Sequence, residues 1–300
     1  MAASHGLLRP QIALPFLVTA LIWGSTWYVI TGQIAEAPPS WTIAYRFAIA
    51  TPAMFAVALM MRQSLRMGRA AHLLAMVIGL TQFGGNFNFV YRAEMHLTSG
   101  IVAVMFGALM VPNALLGRWL LGQQVTTRFL LGSMVAIAGI ALLLVHEAQV
   151  SRQGGNVPLG VALAEGGILS ASFANVVQAN ETGRAQPMVT LLAWSMLYGT
   201  LFDIVMAYWL SGPPVFPASR GFWAGTAYLA IAGSVVTFPL YYGIVRTIGP
   251  GRAAYNSILV IVVAMLISTF VEGYQWSLLA IAGAALGLSG MMLALRARAT

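Results

Sequence analysis

Apolar residues in this chain fall into ten runs of about 20, the length of helix that crosses the hydrocarbon of a bilayer. They lie at roughly 12–30, 41–61, 71–91, 99–120, 128–146, 157–178, 188–210, 221–243, 252–271 and 276–295. Short polar connections separate them, several marked by Pro and Gly: AEAPPS at 35–40, RQGGNVP at 152–158, SGPPVFP at 211–217 and GPG at 249–251. Strand-like alternation is missing and the runs are too long for barrel strands, so each is expected to be a helix. The pattern predicts an all-α membrane protein of ten transmembrane helices. No small-residue cleavage pattern follows the first run, which is therefore expected to be a retained span.

Composition agrees. Of 300 residues, 59% are hydrophobic and 7% charged, against about 25% charged in soluble domains. All 15 basic residues are Arg. With the N-terminus placed inside, inner segments hold Arg9, Arg62, Arg66, Arg69, Arg118, Arg128, Arg184, Arg246, Arg252, Arg296 and Arg298, and outer ones only Arg92, Arg152 and Arg220. Cytoplasmic loops carry the excess of Arg and Lys, so both termini are expected in the cytoplasm. Scattered arginines make no nucleic-acid patch. Without cysteine there is neither a disulfide nor a thiolate metal site, and no cofactor is expected.

Sliding the chain on itself by 151 residues pairs Tyr91 with Tyr242, Gly100 with Gly251, Ala103 with Ala254, Gly122 with Gly273, Gln124 with Gln275, Gly132 with Gly283 and Gly139 with Gly290. This predicts two halves, 1–148 and 149–300, of five spans each. An odd number of spans forces homologous halves to insert with opposite orientations. Inverted repeats of this kind are an architecture of secondary transporters, with a substrate site near the midplane between the halves.

The segment LTSGIVAVMFGALMVPNALLGRWLLGQQVTTRFLLGSMVAIAGIALLL (97–144) resembles the closing helices of the drug/metabolite transporter superfamily, EamA type. So does FVEGYQWSLLAIAGAALGLSGMML (270–293), while LIWGSTWYVI (21–30) and YRFAIATPAMF (45–55) look like the family's first two helices. The sequence departs from the pattern at Gln123, where the family often has an acid; Glu272 keeps the second-half version. Trp194 stands at the repeat position of Arg46, at the offset of 148 that relates Pro39 to Pro187. The resemblance implies an exporter with cavity walls made by the third, fourth, eighth and ninth helices together with the first and sixth.

Polar residues in the apolar runs mark the candidate site. TQFGGNFNFV at 81–90 puts Gln82, Asn86 and Asn88 beside Gly84 and Gly85. On a regular helix Gln82 and Asn86 share a face and Asn88 points away, so Asn86 is a candidate cavity residue and Asn88 an interhelical bond. The expected substrate-binding set is Trp23, Thr26, Gln82, Asn86, Tyr91, Met105, Asn175, Phe238, Tyr242, Tyr255 and Asn256. Pro112 and Pro239 are expected to kink the fourth and eighth helices. Two charges lie within spans, and such groups point to function by default. Glu165 is read either as a proton-coupling site or as a protonated interhelical bond; Arg46 either snorkels outward or pairs with a solute carboxylate. Asp203 is expected at the interface.

An intramembrane enzyme is the rival class, but neither H-E-x-x-H nor G-x-S-x-G is present. Channel filters or charged rings are also missing. The expectation is a monomeric secondary transporter of the inner membrane whose partners are a small-molecule substrate and the bilayer. Amides, hydroxyls and rings with little fixed charge suit amino acids, aromatic ones included. A multidrug or purine exporter of the same fold is the alternative.

Overall fold

A computed structural model describes residues 10–150, 156–248, 253 and 255–296. Among these residues there is no strand, and the helices join into ten rods. These are α1 (Pro10–Glu36), α2 (Pro39–Met60), α3 (Arg69–Ile78, a π-helical Gly79–Asn86, then Phe87–Ala93), α4 (Ser99–Phe106, a 3-10 turn Gly107–Leu109, then Met110–Leu121) and α5 (Thr127–Val150). The second half repeats the order: α6 (Val157–Val177), α7 (Met188–Ser211), α8 (Arg220–Ala230, a π-helical Ile231–Val236, then Thr237–Ile248), α9 (Tyr255–Phe270) and α10 (Leu278–Arg296). The first eight are long and apolar enough to cross a membrane, and α9 and α10 are shorter apolar helices. α1 outruns the expected 12–30 because no proline follows Ile30 until Pro38.

Local chemistry sets the rod ends. Pro39 opens α2, where a missing N–H costs nothing. Asn156 and Ser219 cap α6 and α8 by accepting the backbone N–H of Leu159 and Phe222. Gly122 closes α4 with a φ of 67°, and Gly273, its partner at the 151-residue offset, follows α9 with a φ of 71°. Both turns need the left-handed conformation that glycine adopts without strain. The irregular turns of α4 and α8 lie just before Pro112 and Pro239, where the missing N–H breaks the ladder. α3 has no such proline; its π-helical turn coincides with Gly84 and Gly85.

The same offset carries 79–86 onto 230–237, so the two π-helical turns are also repeat partners. Packing obeys the same two-fold relation. α2 packs on α7 and α5 on α10, each on its own repeat partner; α1 packs on α9 as α6 packs on α4, and α3 on α7 as α8 on α2. The α5–α10 crossing is the closest approach. There a Cβ on Gly139 would strike the Gly287 backbone and the Gly283 carbonyl, while one on Gly132 would strike Ala294 and the Gly290 carbonyl. The glycines paired along the sequence, Gly132 with Gly283 and Gly139 with Gly290, thus meet crosswise in space, as a two-fold axis requires. On its outer face α5 turns Leu130, Leu131, Met134 and Ile137 toward lipid.

Gly139→Ala is expected to destabilise the detergent-solubilised protein by roughly 1–3 kcal/mol through overpacking. Gly287→Ala is its control: the nearest heavy atom to a new Cβ is 3.9 Å away, and melting should stay within about 0.5 kcal/mol of the parent. Equal melting shifts for the two variants would contradict this account of the crossing.

Candidate functional site

A cavity of about 140 Å³ lies between the halves, enough for roughly five water molecules or one small organic solute. α1 supplies Trp23, Thr26 and Trp27; α2 supplies Arg46; α3 supplies Gln82, Asn86, Phe87 and Val90. Ala103, Phe106 and Leu109 come from α4, Ala171 and Asn175 from α6, Phe238, Tyr241 and Tyr242 from α8, and Asn256 and Ser257 from α9. Neither α5 nor α10 reaches it; that pair is scaffold.

One wall is aromatic. Trp23 lies 5.6 Å from Phe238 and 4.9 Å from Tyr241, centroid to centroid, and Trp27 lies 5.1 Å from Phe106. Opposed tilted and edge-on rings give a preorganised apolar surface for a flat or aliphatic group. Trp23 is tied down by its Nε1, which donates to the Gly233 carbonyl at 3.3 Å. That carbonyl lies in the π-helical turn of α8 and also accepts from Arg46 Nη2 at 3.2 Å and Thr237 Oγ1 at 2.8 Å. π-turns often mark functional sites because they re-aim backbone groups in this manner. Gly233 itself must stay small: a Cβ there would lie 3.0 Å from Thr26 Cγ2 and 3.3 Å from Arg46 Nη2.

Arg46 is 2% exposed and does not snorkel. Its Nε donates to Ser234 Oγ at 3.1 Å and Nη1 to the Tyr91 hydroxyl at 3.2 Å, and its Cζ sits 4.4 Å from the Phe87 ring centroid. Tyr91 is therefore a support for Arg46 behind the wall. Tyr242, its repeat partner, lines the cavity, and its buried hydroxyl has no hydrogen-bond partner among the described residues. The cause is the broken repeat: Trp194, standing where a second Arg46 would be, turns instead to the Leu65 carbonyl at 3.0 Å.

Of the other expected residues, Trp23, Thr26, Gln82, Asn86, Asn175, Phe238 and Asn256 all line the cavity. Asn256 Nδ2 donates to the Phe16 carbonyl and Thr19 Oγ1 at 2.8 and 2.9 Å, which locks α9 to α1. Met105 does not line it; it is buried with Ile261 and Met265 in the α4–α9 core. The side chain of Tyr255 lies outside the described residues. Glu165 is exposed on α6, one position beyond the buried stripe of Ala164, Ile168 and Ala171, so its carboxyl faces away from the cavity. Asp203, expected at the interface, is buried between helices, where Asn88 Nδ2 donates to its Oδ1 at 2.8 Å. Phe87, Phe106 and Tyr241 escaped the sequence reading because an aromatic residue in an apolar run carries no polar signal. Val90 was within reach, one turn beyond Asn86 on the same face.

The two ends of the bundle differ. A smaller pocket shares Asn175 and Tyr241 with the central cavity and continues past Asn113 and Gln178 to Gln123, at the end where α1 begins and α10 finishes. The opposite end is closed by polar bonds between rods. Arg92 joins α3 to α2 through Ser40 Oγ at 2.8 Å, Asn88 joins α3 to α7, and Ser99 Oγ on α4 donates to Glu272 Oε2 at 2.6 Å after α9. Glu94, in the connection from α3 to α4, is buried there with both carboxyl oxygens unpaired.

Two five-helix halves around a polar-dotted central cavity define a membrane transport protein. A family model described as the EamA-like transporter family matches residues 11–145 and again 158–296. The chain belongs to that family, as a multi-pass protein of the inner membrane. Similar proteins include the uncharacterized inner membrane transporter YedA of Escherichia coli K12, 27% identical over 84% of this chain and 80% of its own. The uncharacterized transporter YyaM of Bacillus subtilis is 25% identical over 95% and 93%. Protein PagO of Salmonella typhimurium is 19% identical over 90% and 88%. A protein of known crystal structure, 17% identical, superposes with a TM-score of 0.69 over 94% of this chain and 96% of its own, which shows the shared fold.

Glu94 makes the closed end sensitive to pH. Burial, and then the charge of Glu272, hold its carboxyl well above the usual carboxylate range, with Arg46 pulling the other way. A raised value means that the folded state keeps a proton that the unfolded chain releases, so the stabilisation is complete below the ordinary carboxylate pKa and is lost as pH rises through the raised one. Melting temperature should therefore fall as pH rises above the ordinary carboxylate range, and Glu94→Gln should flatten that fall. An unchanged slope in the variant would remove Glu94 as its source.

Proposed function

We propose that the protein is a secondary transporter that exports small organic metabolites, amino acids including aromatic ones foremost, by alternating access. The observation that supports this most is the cavity itself: it lies between the repeats, is walled by helices of both, and shares Asn175 and Tyr241 with a smaller pocket toward one end, while polar bonds tie the rods together at the other. Alternation needs two nearly equivalent halves that rock about a fixed site, and the crosswise packing of repeat partners provides them. The arginine excess puts the end with the smaller pocket on the cytoplasmic side. The conformation is then the one that loads from within. Both halves of the site reside in one chain, which works as a monomer without a cofactor.

The size of the cavity and its aromatic wall suit an aromatic side chain, and the amides of Gln82, Asn86 and Asn175 suit polar groups beside it. A multidrug or purine exporter is the second reading, favoured by the same amides, which match the edge of a purine. Arg46 argues against cationic drugs.

Flux of a radiolabelled amino-acid panel into proteoliposomes, with and without a pH gradient, tests the reading. Saturable flux of aromatic amino acids is expected, with KM raised roughly tenfold by Trp23→Ala or Phe238→Ala. Flux no greater than in empty liposomes for every amino acid would end the amino-acid reading and leave purines to be tried.

A further inference from the structure

Among the described residues the central cavity is lined by one charged side chain, Arg46, and by no Asp or Glu. A guanidinium stays protonated in any protein environment, so this site carries a fixed positive charge on a side chain that is itself only 2% exposed. All three of its hydrogen bonds end on neutral oxygens, those of Ser234, Tyr91 and Gly233. Guanidinium has five N–H donors. Three are used, which leaves one on each of Nη1 and Nη2, enough for a carboxylate to bridge. Buried charge is expensive unless it is paired, and the three neutral oxygens orient the group without compensating it.

The remaining polar atoms around the cavity are uncharged. Asn86 Oδ1, Asn256 Oδ1, Trp27 Nε1 and the Tyr242 hydroxyl are buried without hydrogen-bond partners among the described residues. The two amide oxygens accept N–H groups but do not neutralise an ammonium, and an ammonium bound here without a carboxylate would meet the field of Arg46 unopposed.

We propose that Arg46 is a carboxylate subsite and that the molecule this cavity selects is a small monocarboxylate with an apolar or aromatic body, its amine tolerated and not required. The inference rests on the reading of the cavity as a substrate site and narrows it: amino acids qualify through their carboxylate, and the corresponding acids without the amine qualify equally. The carboxylate bridges the two free donors of Arg46 while the body lies against Trp23, Phe238 and Tyr241.

Binding to the purified wild-type protein is measured by quenching of tryptophan fluorescence, with four probes that share one phenyl body: phenylalanine, 3-phenylpropanoate, 3-phenylpropanamide and phenylethylamine. The two carboxylates are expected to bind about tenfold or more tightly than the amide and the amine, the usual scale of a charge-assisted bidentate pair. Arg46→Gln should erase the preference of acid over amide, and Arg46→Lys should keep the charge but weaken both acids about tenfold through loss of the fork. Amine or amide binding as tightly as the acids to the wild-type protein would overturn the proposal, and this arm decides even if neither variant folds. An acid preference that survives in Arg46→Gln would also overturn it. Binding of 3-phenylpropanoate without amino-acid flux would sink the amino-acid reading and leave the carboxylate subsite standing; amino-acid flux with no preference for acid over amide would do the reverse.

Discussion

Hydrocarbon offers no hydrogen bonds, and that constraint organises this molecule. Backbone groups in the bilayer must be satisfied within their own segment, which makes every span a helix. Side-chain amides, hydroxyls and charges must then find partners among neighbouring helices or face a cavity. Asn88 finds Asp203, Arg92 finds Ser40, and Asn256 finds Thr19 and the Phe16 carbonyl. Four groups left without a partner among the described residues, Trp27 Nε1, Asn86 Oδ1, the Tyr242 hydroxyl and Asn256 Oδ1, belong to residues that line the cavity between the two pseudo-symmetric halves.

Symmetry builds the frame and asymmetry makes the site. The glycine crossing of α5 and α10, the paired π-helical turns and the left-handed turns at Gly122 and Gly273 all recur in both halves. They are positions of backbone geometry, where any side chain, or any larger one, would force the frame apart. Arg46 occurs once. Its counterpart Trp194 has turned toward the Leu65 carbonyl and packs on His72 at 4.7 Å between ring centroids, so the cavity carries one positive pole where a symmetric duplication would have carried two. A single pole makes the cavity itself directional, charged at α2 and apolar against α1 and α8.

The same polar chemistry serves the two ends of the bundle differently. At one end Asn175 and Tyr241 border both the central cavity and the smaller pocket beyond it. At the other, short bonds from Arg92, Asn88 and Ser99 draw α2, α3, α4 and α7 together, with Glu272 joining from the second half. Such bonds are individually modest, and several across one closed surface add up to a gate that opens only when they yield together. Glu94, buried among them with both carboxyl oxygens unpaired, is the weak point of that surface.

Much was legible in the amino-acid order because the bilayer imposes a one-dimensional rule. Apolar run length marks the helices, arginine placement suggests their sense, and a fixed offset of recurring glycines reveals the duplication. Face spacing along α3 also separated Asn86, a cavity residue, from Asn88, an interhelical bond. What the order left undecided are the facts of depth and direction. Arg46 had two readings until packing buried it beneath Phe87 and the Gly233 carbonyl; Glu165 proved exposed and Asp203 buried, because a helical rotation of about 100° per residue separates the outer face from the core. Phe106 and Tyr241 joined the wall although nothing distinguishes them from lipid-facing aromatics in sequence. The sequence by itself determined an inverted pair of helical halves, since hydrophobic length and repeat offset are properties of the chain. Only the tertiary structure decided which polar groups are paired and which face the cavity, since that depends on how each helix is rotated against neighbours far away along the chain.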